Sequence, residues 1–362
     1  MASLFELYEA FGQSPWIDNL QRSWLTEGTL AELIRSGVRG VTSNPSIFAH
    51  AISTGSDYSE HLGDLKGASV DDVYWDLVLH DISGACKVLK SLYDDSHCRD
   101  GFVSVEVDPR LAHDSAATVE SALKIKERIG APNLLVKIPA TKEGVSAVKD
   151  VIAQGVSVNV TLIFSRVRYR EVMEAYVAGL EEYLQNGNSD LRHLASVASF
   201  FISRTDVKVD SILSRKNYQG ELAGKAAVAT AKLAYQDFLE MFSSSRWNAL
   251  AEKGAQVQRP LWASTSTKNP DYPDLLYVDN LIGPNTVNTM PEATLRAYQD
   301  HGRPSVSLLE DIDSANTYLK DLTNLGVDLD KVALELEDEG VEAFKGSHVE
   351  ILKLLEKKLS EL

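Results

Sequence analysis

Cysteine and positive charge are both scarce in this sequence. Its two cysteines, Cys86 and Cys98, are too few for a disulfide framework and have no second pair to complete a metal site. With 36 Lys and Arg against 52 Asp and Glu, the net charge is −16, which repels phosphate backbones and anionic lipids at long range. We therefore expect neither a nucleic-acid nor a membrane partner, and an anionic substrate would require a local basic pocket.

Long hydrophobic runs are absent as well. No stretch reaches the ~18 apolar residues of a membrane span. Residues 1–18 contain Glu6 and Glu9, lack a basic start, and hold no apolar run of signal-peptide length. Together with the low cysteine content, this favours a cytoplasmic protein, or a plastid stromal one if a transit peptide has been removed.

Several catalytic motifs are missing. Neither GxGxxG nor GxxxxGK[ST] occurs, which disfavours an open doubly wound sheet. The eight histidines form no HxH or HExxH pair, so we predict no metal site and no cofactor. A GxSxG elbow and a Cys/His pairing, which would indicate a hydrolase, are also absent.

Short apolar runs alternate with longer amphipathic stretches, the order typical of parallel strands with crossover helices. Helices are predicted at 115–129, 144–153, 166–185 and 224–241. Eight strands are predicted, at 16–20, 40–44, 103–107, 134–138, 158–164, 197–202, 260–264 and 286–290. The pattern predicts an α/β fold of the (β/α)8 TIM barrel type, with its chemistry at the carboxyl ends of the strands. An open doubly wound sheet is the alternative.

The 362 residues are compatible with one domain or two, because barrels of this type exceed ~250 residues as one unit. No Pro, Ser or Gly linker divides the chain, which favours a single domain over 1–362. Residues 327–362 are highly charged around an apolar stripe and predict a pair of packing helices, a C-terminal extension that could cover the active site or mediate self-association. The stripe comprises Val332, Leu334, Leu336, Ile351, Leu354 and Leu355.

Polar residues interrupt or end seven of the predicted strands. A buried polar group costs several kcal/mol unless it is paired, and any single one is compatible with a satisfied core residue. Seven strands with such residues favour a polar, accessible pocket instead. The residues are Asp18, Asn44, Glu106, Lys137, Asn159 with Thr161, Ser199 and Ser264.

Lys137 is the most informative of them, because it lies within the apolar segment LLVKIPAT. Lysine is almost never fully buried without a partner, and burial disfavours the ammonium, which leaves free amine to attack a carbonyl. Glu106 and Asp18 are carboxylates suited to the proton transfers of imine formation and carbon–carbon cleavage. Taken singly, they are equally compatible with a surface ion pair and a helix cap.

The remaining candidates suit a sugar phosphate. Asn44, Asn159, Thr161 and Ser199 offer neutral donors and acceptors for hydroxyl groups. Arg204 and Lys268 follow two of the strands and could hold a terminal phosphate, although exposed salt bridges would also explain either cation.

The chain resembles the longer bacterial and plastid-type transaldolases, from near Trp16 to at least Pro291. The specific motifs are GVTSNPSIF at 40–48, VSVEVDPR at 103–110, LLVKIPAT at 134–141 and GVSVNVTLIFS at 155–165. ASFFISR at 198–204, RPLWAST at 259–265 and NTVNTMP at 285–291 add to the match. The resemblance implies a circularly permuted (β/α)8 barrel that transfers dihydroxyacetone between sugar phosphates in the non-oxidative pentose phosphate pathway.

The same resemblance implies roles for single residues. Lys137 would form the Schiff base, Glu106 and Thr161 would move protons through a bound water, and Asp18 would take the C4 hydroxyl proton. The matching positions for the dihydroxyacetone hydroxyls are Asn44, Asn159 and Ser199, those for phosphate are Arg204 and Ser264, and Phe201 matches an aromatic wall. Shorter members place an arginine two residues after the serine that matches Ser264, and Lys268 could replace it here.

These residues are compatible with three alternative functions. The first is a transaldolase acting on small sugar phosphates, as a monomer or a homodimer. The second is a simpler class I aldolase that releases free dihydroxyacetone. The third, a catalytically inactive barrel that serves as a scaffold, is disfavoured because Lys137, Asp18 and Glu106 are all present.

Overall fold

The computed structural model describes residues 3–54, 57–218 and 220–361. Eight parallel strands form a closed barrel in chain order, so the predicted (β/α)8 fold is confirmed. The strands are β1 (Gln13–Ile17), β2 (Gly40–Thr42), β3 (Phe102–Glu106), β4 (Leu134–Pro139), β5 (Val158–Ile163), β6 (Ser196–Phe201), β7 (Arg259–Ala263) and β8 (Thr286–Met290).

Helices surround the barrel and continue beyond its last strand. They are α1 (Leu4–Glu9), α2 (Arg22–Thr26), α3 (Thr29–Arg35), α4 (Pro45–Thr54), α5 (Ser59–Asp64), α6 (Val70–Asp95), α7 (Ser115–Ile129), α8 (Lys142–Ala153), α9 (Arg166–Gln185), α10 (Ser203–Arg215), α11 (Ala226–Met241), α12 (Ser245–Ala251), α13 (Leu276–Asn280), α14 (Glu292–His301), α15 (Ile312–Asn324) and α16 (Leu329–Ser360). Short 3-10 helices lie at Pro109–Leu111 and Ser307–Leu309. No helix among the described residues is long and apolar enough to cross a membrane.

The strands are buried on both faces, as expected when helices cover the outside and side chains fill the barrel. The β1–β8 pairing closes the barrel, in register from Gln13 opposite Thr286 to Ile17 opposite Met290. Parallel register also places Lys137 of β4 beside Glu106 of β3 and Asn159 of β5. Three of the predicted polar residues therefore lie side by side across neighbouring strands.

The first strand lies earlier in the chain than predicted, because two of its buried residues are polar. Gln13 is fully buried, and its amide donates to the carbonyl oxygen of Leu281 at 2.6 Å and to the hydroxyl of Thr286 at 2.9 Å. These bonds satisfy the amide nitrogen inside the barrel. A pattern of apolar residues detects only the end of this strand, where Trp16 and Ile17 lie. Asp18 follows the strand directly instead of lying within it.

The amino-terminal end of the barrel is closed by a buried ion network. The carboxylate of Asp100, with no exposed side-chain surface, accepts from Arg39 at 2.7 Å, from Arg259 at 3.2 Å and from the hydroxyl of Ser14 at 3.0 Å. Such a network is consistent with a structural role for this end of the barrel, since the chemistry of these barrels gathers at the other end.

The C-terminal segment is one continuous helix, α16, and not the predicted pair. Leu334 is 57% exposed, whereas Val332 and Leu336 are each 4% exposed. Residues two apart point to opposite sides of a helix, whereas residues four apart share a side. Val332 and Leu336 therefore lie on the buried face of α16, and Leu334 lies on the opposite face. The helix packs along α4 and contacts β5, α6 and α10. The assignment of 1–362 as one domain with 327–362 as an extension stays a prediction.

Candidate active site

A small cavity of about 160 Å³ lies at the carboxyl ends of the strands. Nine of the eleven residues singled out in the sequence line it: Asp18, Asn44, Lys137, Thr161, Ser199, Phe201, Arg204, Ser264 and Lys268. The other two, Glu106 and Asn159, are buried on β3 and β5 and flank Lys137. The structure therefore brings the whole predicted set together.

Lys137 is 5% exposed, and its amine points into this cavity. Nζ lies 3.4 Å from the Oε2 atom of Glu106 and donates to the carbonyl oxygen of Ser43 at 3.3 Å. The ion pair is thus buried on both sides, with side-chain exposures of 6% and 3%. Glu106 is therefore the buried charge partner of this amine.

Glu106 has an unusual environment for a carboxylate. Burial raises its pKa from 4.5 to about 7, Lys137 offsets part of this effect, and the charge of Asp18 adds to it. Neither carboxylate oxygen accepts a hydrogen bond from any described residue. A carboxyl group with a pKa near neutrality can both donate and accept a proton at physiological pH, as general acid–base catalysis requires.

Asp18 approaches the cavity from the end of β1. Its Oδ1 atom accepts from the hydroxyl of Thr42 at 2.7 Å, and that hydroxyl also lies 2.6 Å from the hydroxyl of Thr289. Burial raises the pKa of Asp18, while Lys137 and the Thr42 hydrogen bond act in the opposite direction. The two threonines therefore fix the carboxylate in place, and burial makes it a stronger base than an exposed aspartate.

The neutral polar residues form a short chain beneath the cavity. Ser199 donates to the amide oxygen of Asn159 at 2.7 Å, and the amide nitrogen donates to the hydroxyl of Ser104 at 3.0 Å. Asn159 is thereby held next to Lys137. The hydroxyl oxygen of Thr161 is buried and has no hydrogen-bond partner among the described residues, which leaves it available to a ligand or a water.

Two cations lie at the outer part of the cavity. Arg204 of α10 makes no ion pair with the described residues; burial lowers its pKa, and its guanidinium lies 5.3 Å from the centre of the Phe201 ring. Ser264 adopts a left-handed conformation with φ of 56°, and its hydroxyl lies 2.9 Å from that of Ser203. Lys268 donates to the hydroxyl of Ser266 at 2.7 Å. These cations and hydroxyl groups have the chemistry that suits an anionic ligand.

The cavity also contains residues that the sequence did not single out. They are Thr42, Ser46, Ala263, Ser266, Thr289, Pro291 and Phe344. Thr42 and Thr289 are polar residues at strand ends, so the rule that found Asp18 applies equally to them. Phe344 belongs to α16, and nothing in its local pattern distinguishes it from a core phenylalanine.

Other parts of the molecule offer less chemistry. A larger cavity of about 770 Å³ lies at the opposite end of the barrel, lined in part by Arg259 at the start of β7 and by Asn285 before β8. Asp71, Asp108 and His348 have ligand atoms within 4.8 Å of one another. Arg110 already donates to both of those carboxylates at 2.6 Å, so the guanidinium supplies the positive charge there.

A closed (β/α)8 barrel with a buried amine between carboxylates at its carboxyl end defines a barrel enzyme with the groups of lysine-based carbonyl chemistry. Residues 15–355 match the family described as Transaldolase/Fructose-6-phosphate aldolase. The chain belongs to this family.

Curated relatives are similar in sequence to this chain over nearly its full length. A transaldolase of Saccharopolyspora erythraea is 50% identical, with 97% of this chain and 96% of the relative covered. One from Thiobacillus denitrificans is 48% identical, with coverages of 94% and 96%. One from Thermobifida fusca is 46% identical, with 99% of each chain covered.

Proposed function

We propose that this protein is a transaldolase. It transfers a dihydroxyacetone unit reversibly from sedoheptulose 7-phosphate or fructose 6-phosphate to glyceraldehyde 3-phosphate or erythrose 4-phosphate, in the non-oxidative pentose phosphate pathway. The observation that carries the proposal is the Lys137 amine, 3.4 Å from Glu106 in a polar cavity, in a chain whose relatives bear that name.

The first stage joins the donor sugar to Lys137. The amine attacks the C2 ketone, and the resulting carbinolamine loses water to give an imine. Glu106, with its pKa near 7, donates and accepts the protons of this stage. The Thr161 hydroxyl, which has no hydrogen-bond partner within the described part of the chain, orients the water through which they pass. Asn44, Asn159 and Ser199 bind hydroxyl groups of the three-carbon unit.

The second stage breaks the C3–C4 bond. Asp18 takes the proton of the C4 hydroxyl, the aldose phosphate leaves, and the protonated imine accepts the electron pair to give an enamine. Addition of the enamine carbon to an acceptor aldehyde reverses these steps. Burial raises the pKa of Asp18 and so strengthens it as the base.

The phosphate of the donor or acceptor lies between Arg204 and Lys268 in this proposal. Ser264 and Ser266 add hydroxyl donors beside these cations. Ser266 stands two residues after Ser264, where shorter family members place an arginine, and the Nζ atom of Lys268 reaches its hydroxyl at 2.7 Å. Lys268 therefore replaces that arginine from two residues further along the chain.

The second candidate is an aldolase that releases free dihydroxyacetone, because the family description names fructose-6-phosphate aldolase beside transaldolase. Both reactions use the same imine at Lys137. They differ in whether the enamine reacts with an aldehyde or with a proton.

The test is borohydride reduction in the presence of fructose 6-phosphate, followed by intact-mass and peptide analysis. A reduced three-carbon adduct on Lys137 is the expected result, and Lys137→Met should abolish it. Lys142→Met is the matched control, because Lys142 is exposed at the start of α8, and it should leave the adduct unchanged. Erythrose 4-phosphate then distinguishes transfer, which yields sedoheptulose 7-phosphate, from release of dihydroxyacetone.

An adduct that persists in Lys137→Met would refute the assignment of the nucleophile. The absence of any adduct in the unmodified protein would refute the Schiff-base mechanism altogether.

A cytoplasmic location and a monomeric or homodimeric state are part of the same proposal and rest on the sequence. Sedimentation analysis of the purified protein tests the second, with a larger assembly as the result that would contradict it.

A further inference from the structure

The helix α16 crosses the carboxyl end of the barrel and reaches the active-site cavity. Its buried residues recur at three- and four-residue spacing and so lie on one face, which is turned toward the barrel. This face includes Leu336, Gly340, Val341 and Phe344. Phe344 is the member that lines the cavity, together with Lys137 and Phe201.

Phe344 lies over the reacting nitrogen. Its ring centre is 5.3 Å from the Nζ atom of Lys137, and the side chain is 7% exposed. None of the proposed proton transfers and bond changes at Lys137 involves Phe344. An apolar ring that covers the amine restricts the approach of solvent to C2, which becomes bonded to that amine, and to the neighbouring C3, which is the nucleophilic carbon of the enamine.

Two features hold the ring in this position. One turn before Phe344, Gly340 packs so closely on β5 that a Cβ atom there would lie 2.8 Å from the Cδ2 atom of Leu162. Leu162 itself has a φ of 60° at an irregular pairing of β5 with β6. In addition, Glu337 of α16 accepts from Arg168 of α9 at 3.2 Å. The helix is therefore fixed over the two turns that precede Phe344.

Solvent access matters because the enamine has two possible partners. In transfer, its carbon bonds to the aldehyde carbon of the acceptor, and the aldehyde oxygen takes a proton. Water then adds to C2 of the resulting imine and the C2–Nζ bond breaks, so the two routes differ in what the enamine carbon bonds to. In release, the same carbon takes a proton from water, the water oxygen adds to C2, and the C2–Nζ bond breaks. One water is consumed in that sequence: its oxygen becomes the ketone oxygen, and its hydrogens go to the carbon and to the amine.

We infer that Phe344 shields the Lys137 enamine from water and thereby directs the reaction toward transfer instead of release of dihydroxyacetone. This inference rests on the proposed function, because it concerns the fate of the enamine at Lys137. It makes α16 a part of the active site and Phe344 a residue that determines the outcome of the reaction.

The test compares two rates in each of three variants. Release of dihydroxyacetone from fructose 6-phosphate is measured without an acceptor, and formation of sedoheptulose 7-phosphate is measured with erythrose 4-phosphate. Phe344→Ala should raise the ratio of release to transfer by about tenfold, equivalent to about 1.4 kcal/mol between the two barriers. Phe344→Leu, which keeps an apolar side chain, should raise it less. Val349→Ala should leave it unchanged, because Val349 is 42% exposed on the same helix.

The ratio separates shielding from a purely structural role. A loss of folded protein lowers both rates together and leaves the ratio unchanged, so an unchanged ratio in Phe344→Ala overturns the inference. An equal rise of this ratio in Phe344→Leu and Phe344→Ala overturns the inference as well, because the volume of the apolar side chain would then have no effect on the ratio. If Phe344→Ala does not fold, the Phe344→Leu ratio decides alone: a rise above the unmodified value supports shielding, and an unchanged ratio overturns it. Failure of the proposed function is distinguishable, since it would be seen as no adduct and no transfer in the unmodified protein.

Discussion

Glu106 should make the fold less stable as the pH rises, the reverse of what an ordinary ion-paired carboxylate does. Its pKa is raised by burial from 4.5 to about 7, and Lys137 at 3.4 Å offsets only part of this effect. Between these two pH values the unfolded chain has lost a proton that the folded chain still holds. By linkage, the contribution of Glu106 to stability is fully present below about pH 4.5 and is lost by about pH 7.

The perturbation that isolates this effect is Glu106→Gln. The amide has a similar shape and does not titrate. The interval from 4.5 to about 7 corresponds to roughly 3 kcal/mol, at ~1.36 kcal/mol for each pH unit. The free energy of unfolding of the variant, minus that of the unmodified protein, should therefore increase by about 3 kcal/mol between pH 4 and pH 8. Urea unfolding followed by tryptophan fluorescence measures both free energies.

Glu143→Gln supplies a control of opposite sign. Glu143 is partly exposed at the start of α8, and a backbone hydrogen bond there, with His113, lowers its pKa. Its contribution to stability is present above about pH 4.5, so the difference for Glu143→Gln should decrease slightly as the pH rises. A difference for Glu106→Gln that stays constant or decreases over the same range would refute the reasoning, because Glu106 would then be ionised throughout.

Three further outcomes are expected. Asp100→Asn should lower the free energy of unfolding by about 3–5 kcal/mol, because it leaves buried guanidiniums unpaired, yet transfer activity per folded molecule should be retained; urea unfolding and a transfer assay check this. Thr161→Val should lower kcat by about 10² or more without loss of stability, since the hydroxyl has no hydrogen-bond partner in the part of the chain that the structure describes; steady-state kinetics and thermal melting measure the two effects. Burial lowers the pKa of His348, with Asp108 and Arg110 acting in opposite directions. The unfolded chain thus binds more protons below about pH 6.5, and His348→Gln should flatten the fall in Tm between pH 7 and pH 5.

The barrel and most of its site could be predicted because parallel strands bring their carboxyl ends together. Most strands of the barrel contain a short apolar run, and polar residues at their carboxyl ends face one cavity. That rule located Lys137, Asp18 and Ser199 without any knowledge of distances. Which residues of neighbouring strands lie side by side depends on the strand register. The spacing of apolar residues in the sequence determines this register only to within a residue or more.

Other features could not be predicted, for two physical reasons. Buried polar residues such as Gln13 hide the start of a strand from an apolar pattern, because the hydrogen bonds of the Gln13 amide nitrogen are made to distant parts of the chain. Phe344 reaches the cavity from a helix that follows the last strand, so no rule based on strand ends finds it. The one continuous helix that carries it was predicted as two, since local periodicity does not show which face of a charged segment docks on the barrel.

The binding of sugar phosphates is compatible with a net charge of −16. The acidic surface and the cations of the cavity act on an anion over different distances. At physiological ionic strength the Debye length is ~8 Å, so most of the acidic surface is screened from an anion inside the cavity. Arg204 has no ion pair among the described residues, and it stays charged although burial lowers its pKa. It lies in the first turn of α10, where the backbone N–H groups add positive potential. The same charge distribution that repels a long polyanion therefore leaves a local site for one small phosphate.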